Sequence, residues 1–251
     1  MTKRAIRGMT LAFALLTVLT WGTAHADEIR LLSTVGMQPA VPELLAQFER
    51  STGHIVKVTW GLAAVLKQQF ADGTPADVLL LTSPLVEDLV KQGKVAAGSK
   101  VDVARSGVGV AVKAGAPRPD ISTPEALKAT VLAAKSVGFS REGASGVAFA
   151  RALERLGIAE QVRAKYKDTQ TRAGEMLAAG DIDLAAAQIP ELMAVPGVDV
   201  VGPLPSELQT VTVFSLGLPT EAKSVDAAKA LIQFLASPAA APVYKAKGLG
   251  G

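Results

Sequence analysis

The chain of 251 residues contains no cysteine. That absence excludes disulfides, thiolate metal sites, a cysteine nucleophile and a lipid-bearing N-terminal cysteine. Histidine is almost as scarce, with only His25 and His54. The first belongs to a segment read below as a cleaved leader. The second follows Thr52-Gly53 in a helix-to-strand turn, where an imidazole is ordinarily solvated. There is no G-x-S-x-G elbow, no H-E-x-x-H helix, no G-x-x-x-x-G-K phosphate loop and no clustered acidic set, so no metal site and no cofactor are expected. Gly143-Ala144-Ser145-Gly146 superficially resembles a nucleophile loop but has no histidine to activate its serine, and it reads as a binding loop. Asp181 and Asp183 read as solvated acids in a turn.

Charge is balanced once the first segment is set aside. The chain has 26 Lys plus Arg against 23 Asp plus Glu, and three of the bases, Lys3, Arg4 and Arg7, precede residue 27 with no acid among them, which leaves 26 minus 3, or 23, against 23. A neutral body with no basic run interleaved with aromatics gives no reason to expect nucleic acid as a partner. After the first segment no apolar run is long enough to cross a bilayer.

What is present begins with that segment. Basic residues, an apolar run from Met9 to Trp21 and Ala24-His25-Ala26 make a secretory signal over residues 1–26, with cleavage expected after Ala26. The expectation is a freely diffusing, monomeric protein in the periplasm. Apolar runs and amphipathic stretches then alternate, as in parallel sheets covered by helices. Strands are expected at 29–32, 55–58, 78–81, 108–112, 136–139, 184–187, 198–200 and 211–216. Helices are expected at 40–51, 63–72, 84–92, 123–134, 146–156, 172–179 and 225–235.

Two apolar strands, 105–112 and 211–216, bracket about 100 residues that have βα units of their own. A chain that crosses twice between two lobes looks like this, and the expected division is 27–106 for lobe 1, 107–208 for lobe 2 and 209–251 for the return to lobe 1. The fold class is α/β, two-lobed, with a ligand cleft at the hinge.

Three segments place small or hydroxyl residues where a strand ends and a helix begins, the ligand-binding edge of an open α/β sheet. They are Ser33-Thr34-Val35-Gly36, Trp60-Gly61-Leu62-Ala63 and the loop from Ser140 to Gly146. Free N–H groups at helix starts attract anions, while the plainer reading is N-capping by Ser33, Thr34 or Ser145. Arg105 with Ser106 at the first crossing, Arg141 and Arg172 are further candidates, since a guanidinium offers a carboxylate a two-pronged donor set.

These residues resemble the periplasmic molybdate-binding-protein-like family of ABC-transporter solute-binding proteins, which have the type II periplasmic binding fold. The resemblance runs through Leu44 to Phe48, Gly73-Thr74-Pro75-Ala76-Asp77-Val78, Ser140 to Gly157, Gly180-Asp181-Ile182-Asp183 and Ala236-Ser237-Pro238. It implies two lobes, a small anionic ligand held by loop hydroxyls and backbone amides, and delivery to an ABC-transporter permease. The loops depart from the family where it has a serine run, here Leu62-Ala63-Ala64, and where it has a tyrosine after the seventh strand, here Gln188. Each lost buried donor would cost an oxyanion about 1 to 3 kcal/mol, so an organic di- or tricarboxylate is expected in preference to molybdate.

The ligand contacts expected on this basis are Ser33, Thr34, Val35, Leu62, Arg105, Ser106, Ala144, Ser145, Arg172 and Gln188. The chain is also similar to a branch of the fold containing aconitate isomerase, which shifts an allylic proton between cis- and trans-aconitate. For that chemistry Glu142, Ser145 and Ser33 are the candidates. The carrier is preferred to the enzyme, because no convincing acid/base pair stands out.

Overall fold

The structure, a computed structural model, describes residues 26–250, so the leader assigned to residues 1–26 lies outside the described residues apart from Ala26. The strands are β1 (Glu28–Thr34), β2 (Ile55–Gly61), β3 (Val78–Thr82), β4 (Val101–Lys113), β5 (Val137–Phe139), β6 (Tyr166–Asp168), β7 (Leu184–Gln188), β8 (Val198–Pro203) and β9 (Val211–Gly217). The helices are α1 (Val41–Thr52), α2 (Ala63–Ala71), α3 (Ser83–Lys91), α4 (Pro124–Ala133), α5 (Ala144–Arg155), α6 (Ala159–Arg163), α7 (Ala173–Ala179), α8 (Ile189–Met193), α9 (Val225–Leu235) and α10 (Ala241–Ala246), with a short 3₁₀ turn at Val35–Met37.

The protein has the two-lobed type II periplasmic binding fold. In lobe 1, β2, β1 and β3 run parallel, and β9 closes the row antiparallel to β3. In lobe 2, β6, β5 and β7 run parallel. Each sheet is covered on both faces, which explains why strands such as β3, Val-Leu-Leu-Leu-Thr, are buried along their whole length instead of alternating. One face of lobe 1 packs Ile29, Leu31 and Phe214 against Leu44 and Phe48 of α1 and Leu231 of α9. The other packs Leu32, Leu79 and Leu81 against Leu66 of α2 and Val86 and Leu89 of α3. Lobe 2 repeats the arrangement: Leu184 and Ala186 face Phe149 and Leu153 of α5, while Ala185 and Ala187 face Leu177 of α7 and Leu192 of α8.

The lobes share β4. Its first half, Val101–Gly107, pairs with β9 in lobe 1, and from Val108 to Ala111 it pairs with β7 in lobe 2. The second crossing is locked to the first by Gln209, whose Oε1 accepts from Val108 N–H and whose Nε2 donates to Val108 O, both at 2.9 Å. The side-chain amide thus pairs with the strand as a backbone peptide would.

Several elements depart from the expected ones. The first crossing strand starts at Val101 and not near Arg105, because 101–104 pair with β9. β6, α6, α8 and α10 are three to six residues long, too short to show a period in the sequence. The helix expected at 146–156 begins at Ala144, so Gly146 lies inside its first turn. A Cβ there would come within 1.7 Å of Ser140 O, so the loop can fold beneath the helix only over a glycine.

Candidate functional site

Every parallel strand of both lobes points its C-terminal end at the space between them, and the ligand edge of an open α/β sheet lies at that end. Thr34 ends β1, Gly61 ends β2, Thr82 ends β3, Phe139 ends β5, Asp168 ends β6 and Gln188 ends β7. With the lobes drawn together, the cleft so formed leaves a cavity of about 30 Å³. Lobe 1 lines it with Thr34, Val35, Gly36, Leu62, Ala63, Thr82 and Phe214, and lobe 2 with Ser140, Gly143 to Ser145, Thr169, Gln170, Ala173, Ala186 to Gln188 and Glu191. The lobes are drawn together across it. A Cβ on Gly36 would lie 3.0 Å from the Phe214 ring and 3.3 Å from Glu191 Oε1, and one on Gly143 would lie 3.6 Å from the Leu62 side chain.

The N-termini of α2 and α5 meet the cleft from opposite lobes, and neither has a side-chain cap. Capping is used elsewhere in this protein: Thr123 Oγ1 accepts from Ala126 N–H at the start of α4, away from the cleft. Ser33, Thr34 and Ser145 cap nothing through their side chains, so the plainer reading of those loops gives way. The uncapped N–H groups of the two facing helices are free to meet a ligand and carry the positive ends of the helix dipoles.

Two side chains in the cleft wall are buried with unmet hydrogen-bonding capacity. Gln188 is 2% exposed; its Nε2 donates to Thr212 Oγ1 and its Oε1 has no partner. Thr169 is also 2% exposed, and its Oγ1 has none. Buried polar atoms are nearly always paired, so these two mark where a polar ligand would complete the set. Gln170 beside them has φ +49°, an uncommon value for a residue other than glycine. Its loop is held to the Ser140 loop by Asp168, whose Oδ1 accepts from both Gln170 and Arg141 N–H at 3.2 Å.

Among the described residues lining the cleft there is no Lys, Arg or His, and Glu191 is the single charged side chain. It stands in the first turn of α8, directly after β7, partly open to the cleft yet surrounded by protein. Burial, with the like charge of Glu175 adding to it, pushes its carboxyl up to about 7.

Over residues 29–250 the chain matches the family described as bacterial extracellular solute-binding protein. The chain belongs to this family. Among curated relatives, an aconitate isomerase from Pseudomonas sp is 35% identical over 230 residues, covering 88% of this chain and 87% of that protein. The molybdate-binding protein ModA of Azotobacter vinelandii is 27% identical over 239 residues, covering 90% and 91%. Among solved structures, the periplasmic molybdate-binding protein of Azotobacter vinelandii superposes with a TM-score of 0.75 at 19% identity, over 88% of this chain and 98% of that one.

Of the residues proposed from sequence, the structure brings Thr34, Val35, Leu62, Ala144, Ser145 and Gln188 to one cleft in this family member. Ser33 is fully buried in β1 behind it. The Ser106 hydroxyl donates to Gly107 O on the crossing strand. Arg105 presents its side chain to solvent while its backbone pairs with Gly250. Arg172 is exposed at the start of α7, and Arg141 lies 5.7 Å from the centre of the Tyr166 ring. Trp60 packs against the lobe 1 core. Glu142 is exposed and lines a separate groove with Arg151 and Val211. Sequence reasoning missed Glu191. The available signal was Gln188-Ile189-Pro190-Glu191, an acid in the first turn after a buried strand, at the sheet edge where ligands bind.

Proposed function

We propose that this protein is a periplasmic isomerase of an unsaturated tricarboxylate, aconitate or a close analogue, in which Glu191 moves the proton. The carrying observation is the place of Glu191: a carboxyl with its pKa pushed to about 7, facing a cleft whose other polar groups are N–H, hydroxyl and amide. A base is most effective when its pKa lies near the working pH. The likeness to an aconitate isomerase supports the same reading.

The chemistry follows from the substrate class. Aconitate has a CH₂ next to a carbon–carbon double bond. The Glu191 carboxylate takes a proton from that CH₂, and the electron pair left behind spreads over three carbons and the attached carboxylates. Return of the proton to the far carbon moves the double bond and allows either geometry across it, so the step is redox-neutral and conserves protons. Negative charge that develops on the carboxylates meets the N–H groups at the starts of α2 and α5, already oriented by the fold. Thr34, Ser145 and Thr169 add hydroxyl donors of the size a carboxylate needs, and Gln188 adds an amide.

Sequence reasoning ranked a carrier first for want of an acid/base group, and Glu191 supplies one. The carrier reading, delivery of an organic di- or tricarboxylate to an ABC-transporter permease, is supported by the likeness to a molybdate-binding protein. The two readings part on turnover. The mature protein incubated with cis-aconitate should form trans-aconitate, followed by proton NMR. Glu191→Gln should lower turnover by about 10² to 10⁴ while thermal stabilisation by aconitate persists. Stabilisation without any conversion would leave the carrier reading and end the isomerase reading.

A further inference from the structure

Glu191 is a wall of two spaces. One is the ligand cleft. The other is a chamber of about 240 Å³, bounded by Gln38 and Pro39 of lobe 1 and by Thr171, Glu175 and Ala194 of lobe 2. Val35 and Ala173 line both spaces and, with Glu191, form the partition between them.

This second space has the features of a water path. Gln38, Thr171, Glu175 and Glu191 give it polar walls, and it is far larger than one water molecule needs. It exists with the lobes drawn together, since both lobes line it and Glu191 closes against the turn that carries Gly36. The cleft becomes dry when a ligand fills it, so a carboxyl facing only that side would keep one proton throughout a turnover. Glu191 faces both sides. Among the described residues, the titratable groups lining either space are Glu175 on α7 and Glu191 on α8; the lobe 1 turn, β7 and β9 contribute none.

We propose that this chamber is a proton path by which Glu191 exchanges with solvent while the ligand cleft is shut, and that Glu175 is a positioning residue whose charge tunes proton exchange at Glu191. The inference rests on Glu191 as the proton-moving group. Written out, the Glu191 carboxylate takes a proton from the substrate CH₂, the resulting carboxyl exchanges that proton with chamber water, and it then delivers a solvent proton to the far allylic carbon. Glu175 acts through charge, because a carboxylate beside another disfavours its ionisation.

The test is isomerisation of cis-aconitate in D₂O by the full mature protein, with deuterium in the trans-aconitate product read by mass spectrometry. The native protein should place solvent deuterium in the product. Ala194→Trp and Gln38→Trp fill the chamber from opposite lobes at exposed positions outside the cleft lining. Each should raise the share of product that keeps the original proton several-fold, with thermal stabilisation by aconitate unchanged. Glu175→Gln should move the acid limb of kcat/KM to lower pH, an effect that a merely structural role would not produce. Product free of deuterium from the native protein, or incorporation unchanged in both chamber variants, overturns the path and leaves Glu191 in place. An unmoved acid limb in Glu175→Gln overturns its role, and absence of any conversion overturns the Glu191 reading and the path together.

Discussion

Gln188 Nε2 donates to Thr212 Oγ1 across 2.9 Å, joining the last residue of β7 in lobe 2 to the crossing strand β9. The bond orients an amide whose other end is buried without a partner in the cleft wall. Because the hydroxyl can also donate, the amide can turn over and offer its NH₂ to an anion. Thr212→Val keeps the shape and removes the anchor, leaving more buried polar atoms unpaired. The expected cost is about 1 to 3 kcal/mol in fold stability. Urea unfolding measures that cost, and a ligand titration should show weaker binding.

The raised pKa of Glu191 sets a pH dependence with a definite sign. As a base the group must be ionised, so kcat/KM should rise with pH and level off above about 7. A bound anion adds like charge and moves the limb in kcat to higher pH. A pure carrier predicts the reverse for affinity, with the anion held more weakly as Glu191 ionises. In the empty protein burial raises the folded pKa above the ordinary carboxyl value of 4.5, so the drawn-together form is favoured by protonation and loses that stability as pH rises through about 7. Small-angle scattering of the unliganded protein should show a larger radius of gyration at about pH 8 than at about pH 5.

A second ionised group stabilises lobe 1. The Asp77 carboxylate is fully buried and accepts from Arg30 through Nε and Nη2 at 2.8 Å, from Arg30 N–H at 2.9 Å and from Lys223 N–H at 2.8 Å. Burial alone would raise its pKa, but the bonds from Arg30 and Lys223 outweigh burial and hold it well below the usual carboxylate range. Asp77→Asn should cost about 3 kcal/mol, lowering Tm by roughly 6 to 12 °C. The contribution of the ionised group is present above about pH 4 and is lost as pH falls through the depressed value, so the native protein and the variant should converge in acid.

Gly146 tests the α5 start without touching a polar side chain. Gly146→Ala places a Cβ against the Ser140 carbonyl, so the loop from Ser140 to Ser145 must shift. Overpacking of this kind costs about 1 to 3 kcal/mol. Ligand binding should fall more than stability does, because the N-terminus of α5 moves out of register with that of α2.

Much of this architecture was legible before the structure. The apolar runs at 78–81 and 184–187 are strands buried on both faces, and the two long apolar segments around Val108 and Val213 are the crossings. The loops at Thr34, Leu62 and Ser145 could be singled out because strand ends and helix starts are local features. The arginines pointed elsewhere: a guanidinium on a long side chain reaches solvent unless the fold turns it inward, and spacing along the chain does not report that. Arg105 lies next to the buried Ser106, but its side chain is exposed.

What the sequence by itself determined is therefore what depends on near neighbours: the periods of strand and helix, the absence of thiols and of an activating histidine, the even charge and the places where chain direction changes. Only the tertiary structure decided which of these places face one another and what charge they carry there. Glu191 makes the distinction plain. In sequence it is one acid among 23 Asp and Glu. Its pKa near 7 arises because residues distant in the chain, Gly36 and Phe214 on one side and Glu175 on the other, surround or face its carboxyl. Desolvation is the sum over all that surrounds a group, and the fold alone assembles those surroundings.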